Sequence, residues 1–222
     1  MKRVVLAISA VLLLVVACGG SKPIRDWVNI SHSQMETFKR DALTGRTSTG
    51  GIYYGKAIEE IKKSGNVDLL AKAYLIRMAI QVSLLEDPNE EDFLKVDAVE
   101  SVAENKSYYY FLTGRFDRVD EKALPATYRP LQNALRNGDS SAEIAKLLEK
   151  IDDSLSRLIG AGIVVRRGNA DEATLLAALG VASEQGWKAA VILYLGQLQS
   201  YYERTGQTAK AAATRARLSL IE

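Results

Sequence analysis

The sequence predicts an all-α protein, built of antiparallel helical hairpins in an irregular superhelix or bundle. Three observations carry that expectation. Apolar residues recur at helical spacing through most of the chain after about residue 50, the pattern of helices that bury one face. Only four prolines occur, none within the long periodic runs, so nothing there breaks a helix. The one strand-like stretch, Ile163-Val164-Val165 within Gly160 to Gly168, has no second strand to pair with and reads as a loop or a helix end.

Taken in order, the chain opens on Lys2 and Arg3, and Val4 to Ala17 is apolar apart from Ser9. A spanning helix needs about 20 apolar residues. A charged start, a shorter apolar core and small residues at its end mark a secretory leader over residues 1–17. Val15-Val16-Ala17-Cys18 resembles the lipobox of bacterial lipoproteins, with the chain's only cysteine at the cut site. The resemblance implies cleavage before Cys18, a thioether-linked diacylglycerol on its sulfur and an acyl group on its new amine. One myristoyl-length chain holds a protein only marginally, whereas two or three hold it firmly. Members sorted to the inner membrane of enteric bacteria carry Asp after the cysteine. Gly19 therefore implies the outer membrane, on its periplasmic face. Residues 18–27 are read as the lipidated cysteine and a short tether. Six extended residues reach about 20 Å, which keeps the folded body against its membrane. Residues 28–222 follow as the helical domain, divisible into halves at 28–137 and 138–222.

Ser31 to Leu43 is expected as the first helix, with Met35, Phe38 and Leu43 inward. Gly45 to Gly51 reads as a Gly/Thr/Ser loop, and Ile52 to Lys63 as a helix stopped by Ser64-Gly65-Asn66. Val67 to Glu86 carries two apolar stripes, one through Ala71, Tyr74, Met78 and Val82 and one through Ile76, Ile80 and Leu84. A helix apolar on two sides is sandwiched, so this is the central helix of the first half. Asp87-Pro88-Asn89 breaks it. Glu90, Glu91 and Asp92 then suit the first turn of a helix running to about Glu104. A short helix covers Ser107 to Thr113, an irregular connection holds Pro125 and Pro130, and Leu131 to Arg136 is helical up to Asn137-Gly138. Ser140 or Ser141 caps a helix reaching Ile159. Asp171 to Gln185, Trp187 to Thr205 and Gln207 to Ile221 close the chain as three helices stopped at Gly186 and Gly206. The last presents Ala209, Ala212, Ala213 and Ala216 as a small-residue packing face.

Leu179-Gly180 followed by Glu184-Gln185-Gly186-Trp187-Lys188-Ala189-Ala190, and Tyr201 to Ala211, resemble the turn regions of tetratricopeptide-type repeats. In that family a glycine ends one helix and an alanine some five residues later lets the next pack closely. The resemblance covers about the last 50 residues and implies stacked helix pairs with a concave binding face. The glycine stops at 65, 114, 138, 186 and 206 do not keep that family's period of about 34 residues.

Composition excludes several functions. Two of the 29 basic residues leave with the leader, so the mature chain balances 27 bases against 27 acids. That leaves no basic surplus for nucleic acid. One cysteine, committed to lipid, excludes disulfides, and the lone His32 excludes multi-histidine metal sites. No metal and no cofactor beyond the covalent lipid are expected. Gly45 to Gly51 has the glycine spacing of a phosphate loop but lacks the Lys and Ser/Thr that must follow. Gly160-Ala161-Gly162 lacks the third glycine of a dinucleotide fingerprint. Asp87, Asn89 and Glu91 alternate like calcium ligands without the central glycine, so helix capping accounts for them better.

Three functional readings follow. The first is a non-catalytic scaffold or adaptor for other envelope proteins, held to the membrane by its lipid. Adjacent aromatics supply its candidate contact surface: Tyr109, Tyr110 and Phe111, with Tyr201 and Tyr202. Neighbours on a helix point about 100° apart, so in each set one ring can be buried while another faces outward. Tyrosine suits such surfaces because its ring is apolar and its hydroxyl tolerates water. The second is a glycan-acting enzyme. Glu100-Ser101, placed in a helix, resembles the catalytic Glu-Ser pair of lytic transglycosylases, although residues 106–114 lack that family's glycine- and glutamine-bearing segment. The third is a carrier of an apolar ligand, with the helix at 67–86 lining its cavity.

Overall fold

The computed structural model describes residues 26–221, so Cys18, the leader and most of the tether lie outside the described residues. Every regular element among those residues is helical, and no strand occurs there. Eleven α-helices follow in order: α1 (Asp26–Thr44), α2 (Thr47–Lys62), α3 (Val67–Ser83), α4 (Glu91–Asp97), α5 (Ala103–Leu112), α6 (Arg129–Asn137), α7 (Ser141–Glu149), α8 (Ser154–Arg166), α9 (Glu172–Glu184), α10 (Lys188–Arg204) and α11 (Thr208–Ser219). They pack as an all-α bundle of helical hairpins, α1 on α2, α9 on α10 and α10 on α11. None is long and apolar enough to cross a membrane.

The central role of α3 follows from its two apolar sides. It packs on α2, α4 and α5 from its own half of the chain and on α8 from the other. Met78 and Val82 are wholly buried in it. One contiguous core runs from Met35 and Phe38 of α1 to Ala211 of α11. At the C-terminal end of α3 the Tyr194 hydroxyl, from α10, donates to the Ser83 carbonyl at 3.1 Å.

Of four expectations, three need correction and one is narrowed. The first concerns Gly45 to Gly51, which is mostly helix rather than loop. Gly45 (φ +93°) turns the chain, and Arg46 reaches back to the buried Asp41, Nη2 to Oδ1 2.6 Å. Thr47 can then start α2 at once. Gly50 sits where α2 crosses α1; a Cβ there would stand 3.4 Å from the Ala42 backbone nitrogen. Its role is close approach, not flexibility.

The second concerns helices read as too long. α3 stops at Ser83, because Leu85 takes a left-handed φ of +59°. The Leu85 and Glu86 amides then donate to the Val82 and Gln81 carbonyls, at 3.0 and 2.9 Å, closing the helix end. The helix expected to reach Glu104 stops at Asp97, and the next begins at Ala103 rather than Ser107. The helix expected to reach Ile159 is two. Ser140 caps α7 in a reciprocal box with Glu143, and Asp153 caps α8 by accepting from the Ser156 amide at 2.8 Å.

The third concerns Gly160 to Gly168, read as a loop or a helix end, and it is the helix end: the second half of α8 up to Arg166. Ile163 and Val164 belong to the core. A Cβ on Gly162 would lie 2.2 Å from the Val82 carbonyl oxygen, so this glycine lets α8 lie directly on the α3 backbone.

The fourth concerns α11, whose Ala209, Ala212, Ala213 and Ala216 are exposed. Its packing face is Ala211 and Thr214, with Leu218 half-buried beside them. Between α5 and α6 the irregular connection holds two 3₁₀ turns, Phe116–Arg118 and Ala126–Tyr128, and Pro130 sits in the first turn of α6.

Candidate functional site

A cleft of about 860 Å³ opens between the start of α4, the α5 end with its following turn, α6 and the end of α8. Its geometry starts from two helix boundaries. The Asn89 side chain accepts from the Glu91 amide at 3.1 Å, which starts α4 and sets Glu90 on the rim. Gly114 (φ +73°) ends α5 and turns the chain, so that Arg115 folds back over the helix it has just left.

Arg115 then braces one wall. Its Nη2 donates to Glu90 Oε2 at 2.9 Å, and its guanidinium lies 5.2 Å from the Tyr109 ring centre. The Tyr109 hydroxyl donates to Glu90 and accepts from Arg115 Nη1. Burial raises the Tyr109 pKa, and its hydrogen bond to the Glu90 carboxylate raises it further. The ring itself is buried and stacks on Phe93 at 4.7 Å. At one end Lys106 pairs with Asp97, Nζ to Oδ2 3.1 Å, and that carboxylate holds the Lys106 pKa above the ordinary value.

The remaining cations of the lining are Arg118, Arg136 and Arg167, all exposed. Among the described residues none of the three has a carboxylate within 4.0 Å. Two lie on aromatic faces. The Arg167 guanidinium is 4.6 Å from the centre of Phe116, and that of Arg118 is 5.9 Å from the centre of Tyr110. Arg136 donates to Asn133 Oδ1 at 3.2 Å. Arg118 and Arg167 thus each lie over an aromatic ring with no carboxylate partner. Leu94, exposed, gives the cleft apolar surface, while Phe116 and Leu135 line it as buried core residues.

The five aromatics singled out from sequence do not form one surface. Phe111 is fully buried, in a cluster with Phe116 and Tyr128, and Tyr202 is buried with its hydroxyl donating to Glu172 Oε1 at 2.7 Å. Neither can meet a partner where it stands. Tyr109 and Tyr110 both line the cleft, the first through its hydroxyl edge and the second through a half-buried ring. Tyr201, half-buried beside Arg204, belongs to a different part of the molecule and does not line the cleft. Tyr109 is a buried brace and Tyr110 a half-buried edge, because adjacent helical residues diverge.

Glu100 lies not in a helix but in the exposed turn after α4. A glutamic acid that donates a proton to a glycosidic oxygen sits in an apolar pocket that raises its pKa, and Glu100 has no such pocket. His32 is also exposed, with Glu36 3.8 Å away. Asp87 pairs with Arg166 at 2.6 Å and Glu91 with Lys95 at 2.7 Å, so with Asn89 they serve helix ends and ion pairs. No group of three or more metal-ligating side chains occurs among the described residues. The apolar side of α3 lines no enclosed cavity at Met78, which is core. It contributes Leu69, Ala73 and Ile76 to an open groove of about 270 Å³ against Trp27, Val28 and Met35 of α1.

Sequence reasoning missed Arg118, Arg136 and Arg167. They are far apart in the chain and match no motif. The one signal was their position near helix ends, where positive charge is common. No protein-family model matches the chain, and no curated protein or solved structure matches it either.

Proposed function

We propose that this is a lipid-anchored envelope protein that acts as a non-catalytic adaptor, held at the periplasmic face of the outer membrane and contacting a partner protein through the cleft. The Val15–Cys18 box behind a charged apolar leader carries the anchoring half of this reading. The cleft supports the contact half. It is open, and it joins aromatic edges to arginines, the residue types enriched where proteins bind one another. The helix pairs α9–α10 and α10–α11, each turned at a left-handed glycine (Gly186, Gly206), also suit a tetratricopeptide-like stack at the C-terminal end.

Intact-mass analysis of the mature protein tests the anchor. A diacylated or triacylated Cys18 at the N-terminus is expected, with Cys18→Ser releasing the protein from membranes. An uncleaved leader or an unmodified thiol refutes it. Site-specific photocrosslinking from Tyr110 in intact cells tests the contact. One reproducible envelope protein adduct is expected, and no adduct from any cleft position refutes the adaptor reading.

A further inference from the structure

The cleft's charge is the least explained feature of the surface. Its lining holds five cations, Lys106, Arg115, Arg118, Arg136 and Arg167, against three carboxylates, Glu90, Asp97 and Asp117. Glu90 and Asp97 are each neutralised by their own partner, Arg115 and Lys106. That leaves three guanidiniums facing one free acid, on a chain whose sequence carries only +2 overall. Helix ends account for part of this, since Arg136 lies in the last turn of α6 and Arg167 at the C-cap of α8. They do not account for the convergence of both on one cleft with Arg118, or for the placement of two of the three over aromatic rings.

We infer that this cleft binds an extended acidic peptide segment, its carboxylates taken by Arg118, Arg136 and Arg167 and its intervening side chains by Tyr110 and Leu94. Guanidinium presents a rigid fork of N–H donors that fits a carboxylate with two parallel hydrogen bonds. A ring beside the guanidinium attracts it and restricts its motion, so less freedom is lost when the fork engages. The three forks come from three separate elements, a 3₁₀ turn, α6 and α8, and line one open cleft of about 860 Å³. A compact anion such as phosphate fills only a small part of that space. A chain carrying several acids can occupy it and meet each fork, and the exposed Leu94 in the same lining suits side chains rather than a mineral ion. The inference deepens the adaptor reading by naming its partner's chemistry, but it does not depend on the anchor.

The test uses the full chain in a neutral detergent, with fluorescence anisotropy of a labelled ten-residue peptide alternating Glu with Tyr and Leu, and of its Gln counterpart. At low salt the acidic peptide is expected to bind at least about ten-fold more tightly than the neutral one. Each of Arg118→Gln, Arg136→Gln and Arg167→Gln should weaken it by about three- to ten-fold, the lower figure allowing for solvent screening. The triple variant should abolish binding while circular dichroism shows an unchanged fold. A control triple at exposed lysines elsewhere, Lys56→Gln, Lys146→Gln and Lys188→Gln, should bind as the parent does. Equal affinity for the two peptides, equal loss in both triples, or binding only to inorganic phosphate or to phosphatidylglycerol vesicles each overturns the inference. A failed peptide arm with lipidated Cys18 and a cellular crosslink refutes this ligand alone. A bound peptide with unmodified Cys18 refutes the anchor alone.

Discussion

Gly162→Ala adds one methyl group where two helices touch backbone to backbone. The new Cβ would stand 2.2 Å from the Val82 carbonyl oxygen, 2.9 Å from its carbon and 3.1 Å from Ser83 Cα. A carbon and a carbonyl oxygen settle no closer than about 3.3 Å. To make that room α8 must move off α3 by about 1 Å, since backbone atoms, unlike a side-chain end, cannot rotate away. A gap of that size loses roughly a quarter to a half of the dispersion between the facing atoms. The crossing lies in the core, where Val82 of α3 and Leu158 and Val164 of α8 are fully buried. Overpacking typically costs about 1–3 kcal/mol, and an immovable obstacle puts this site at the upper end. Alanine's better helix propensity offsets about 1 kcal/mol. The net expectation is destabilisation by about 2 kcal/mol, or about 4–8 °C in Tm at the usual sensitivity of a chain this long. Urea unfolding followed by circular dichroism reads it directly. Gly180→Ala is the matched control, because Gly180 is an exposed position inside α9 with nothing within 4 Å of a built Cβ. It should gain about 0.5–1 kcal/mol. If both substitutions stabilise alike, α8 does not cross α3 as described.

Tyr194→Phe removes the hydroxyl that meets the Ser83 carbonyl and leaves that buried acceptor unpaired, so stability should fall by about 1–3 kcal/mol with an unchanged urea m-value; no loss would refute the contact. Asp41 is buried and its pKa is held below the usual carboxylate value first by the Arg46 hydrogen bond. Its stabilising effect is therefore complete above the unfolded value near 4 and disappears as pH falls through the lower folded value. Asp41→Asn should lose stability at neutral pH and show a flatter profile below about pH 4, whereas parallel profiles would argue against the ion pair. Ser140→Ala should cost about 1 kcal/mol through loss of the α7 cap, and Ser140→Asp should restore most of it; an indifferent Ser140→Ala would mean that α7 starts elsewhere.

Much of the helix order was legible because its punctuation is local. Gly65, Gly138, Gly186 and Gly206 all take left-handed φ at helix ends, where a sequence reader expects them. Ser140 and Asp171 cap, and the double apolar character of α3 announces its central place. The same letter misled elsewhere. Gly50, Gly160 and Gly162 lie inside helices, and what they accommodate is another element rather than a turn. Glycine for a positive φ and glycine for close approach look identical until the partner helix is known. The breaks at Ala98–Val102 and Lys150–Asp153 hold neither glycine nor proline, so periodicity ran through them. In α11 the spacing of Ala209, Ala212, Ala213 and Ala216 satisfied the helical period as well as the true face did, and Leu218 was the better guide. The braced half of the cleft was partly visible through Tyr109 and Tyr110. Its arginines were not, because they come from three segments that only the tertiary fold brings together.

The α3–α8 crossing also bears on the cleft. Gly162 and Arg167 share one end of α8, five residues apart, and Arg167 reaches the cleft by lying on Phe116. Adjacent Arg166 pairs with Asp87, in the segment that leads from α3 to Glu90. The distance between the free guanidinium of α8 and the braced wall of α4 and α5 is thus set by how closely α8 lies on α3. The Asp87–Arg166 pair cannot hold that spacing alone, because Asp87 is fully exposed and surface pairs contribute only about 0–1 kcal/mol. The buried crossing must do so. Gly162→Ala should therefore weaken acidic-peptide binding even under conditions where the variant is fully folded, whereas Asp87→Asn should leave binding within about two-fold of the parent. A folded Gly162→Ala protein with undiminished affinity would show that the cleft's shape is independent of the core beneath it.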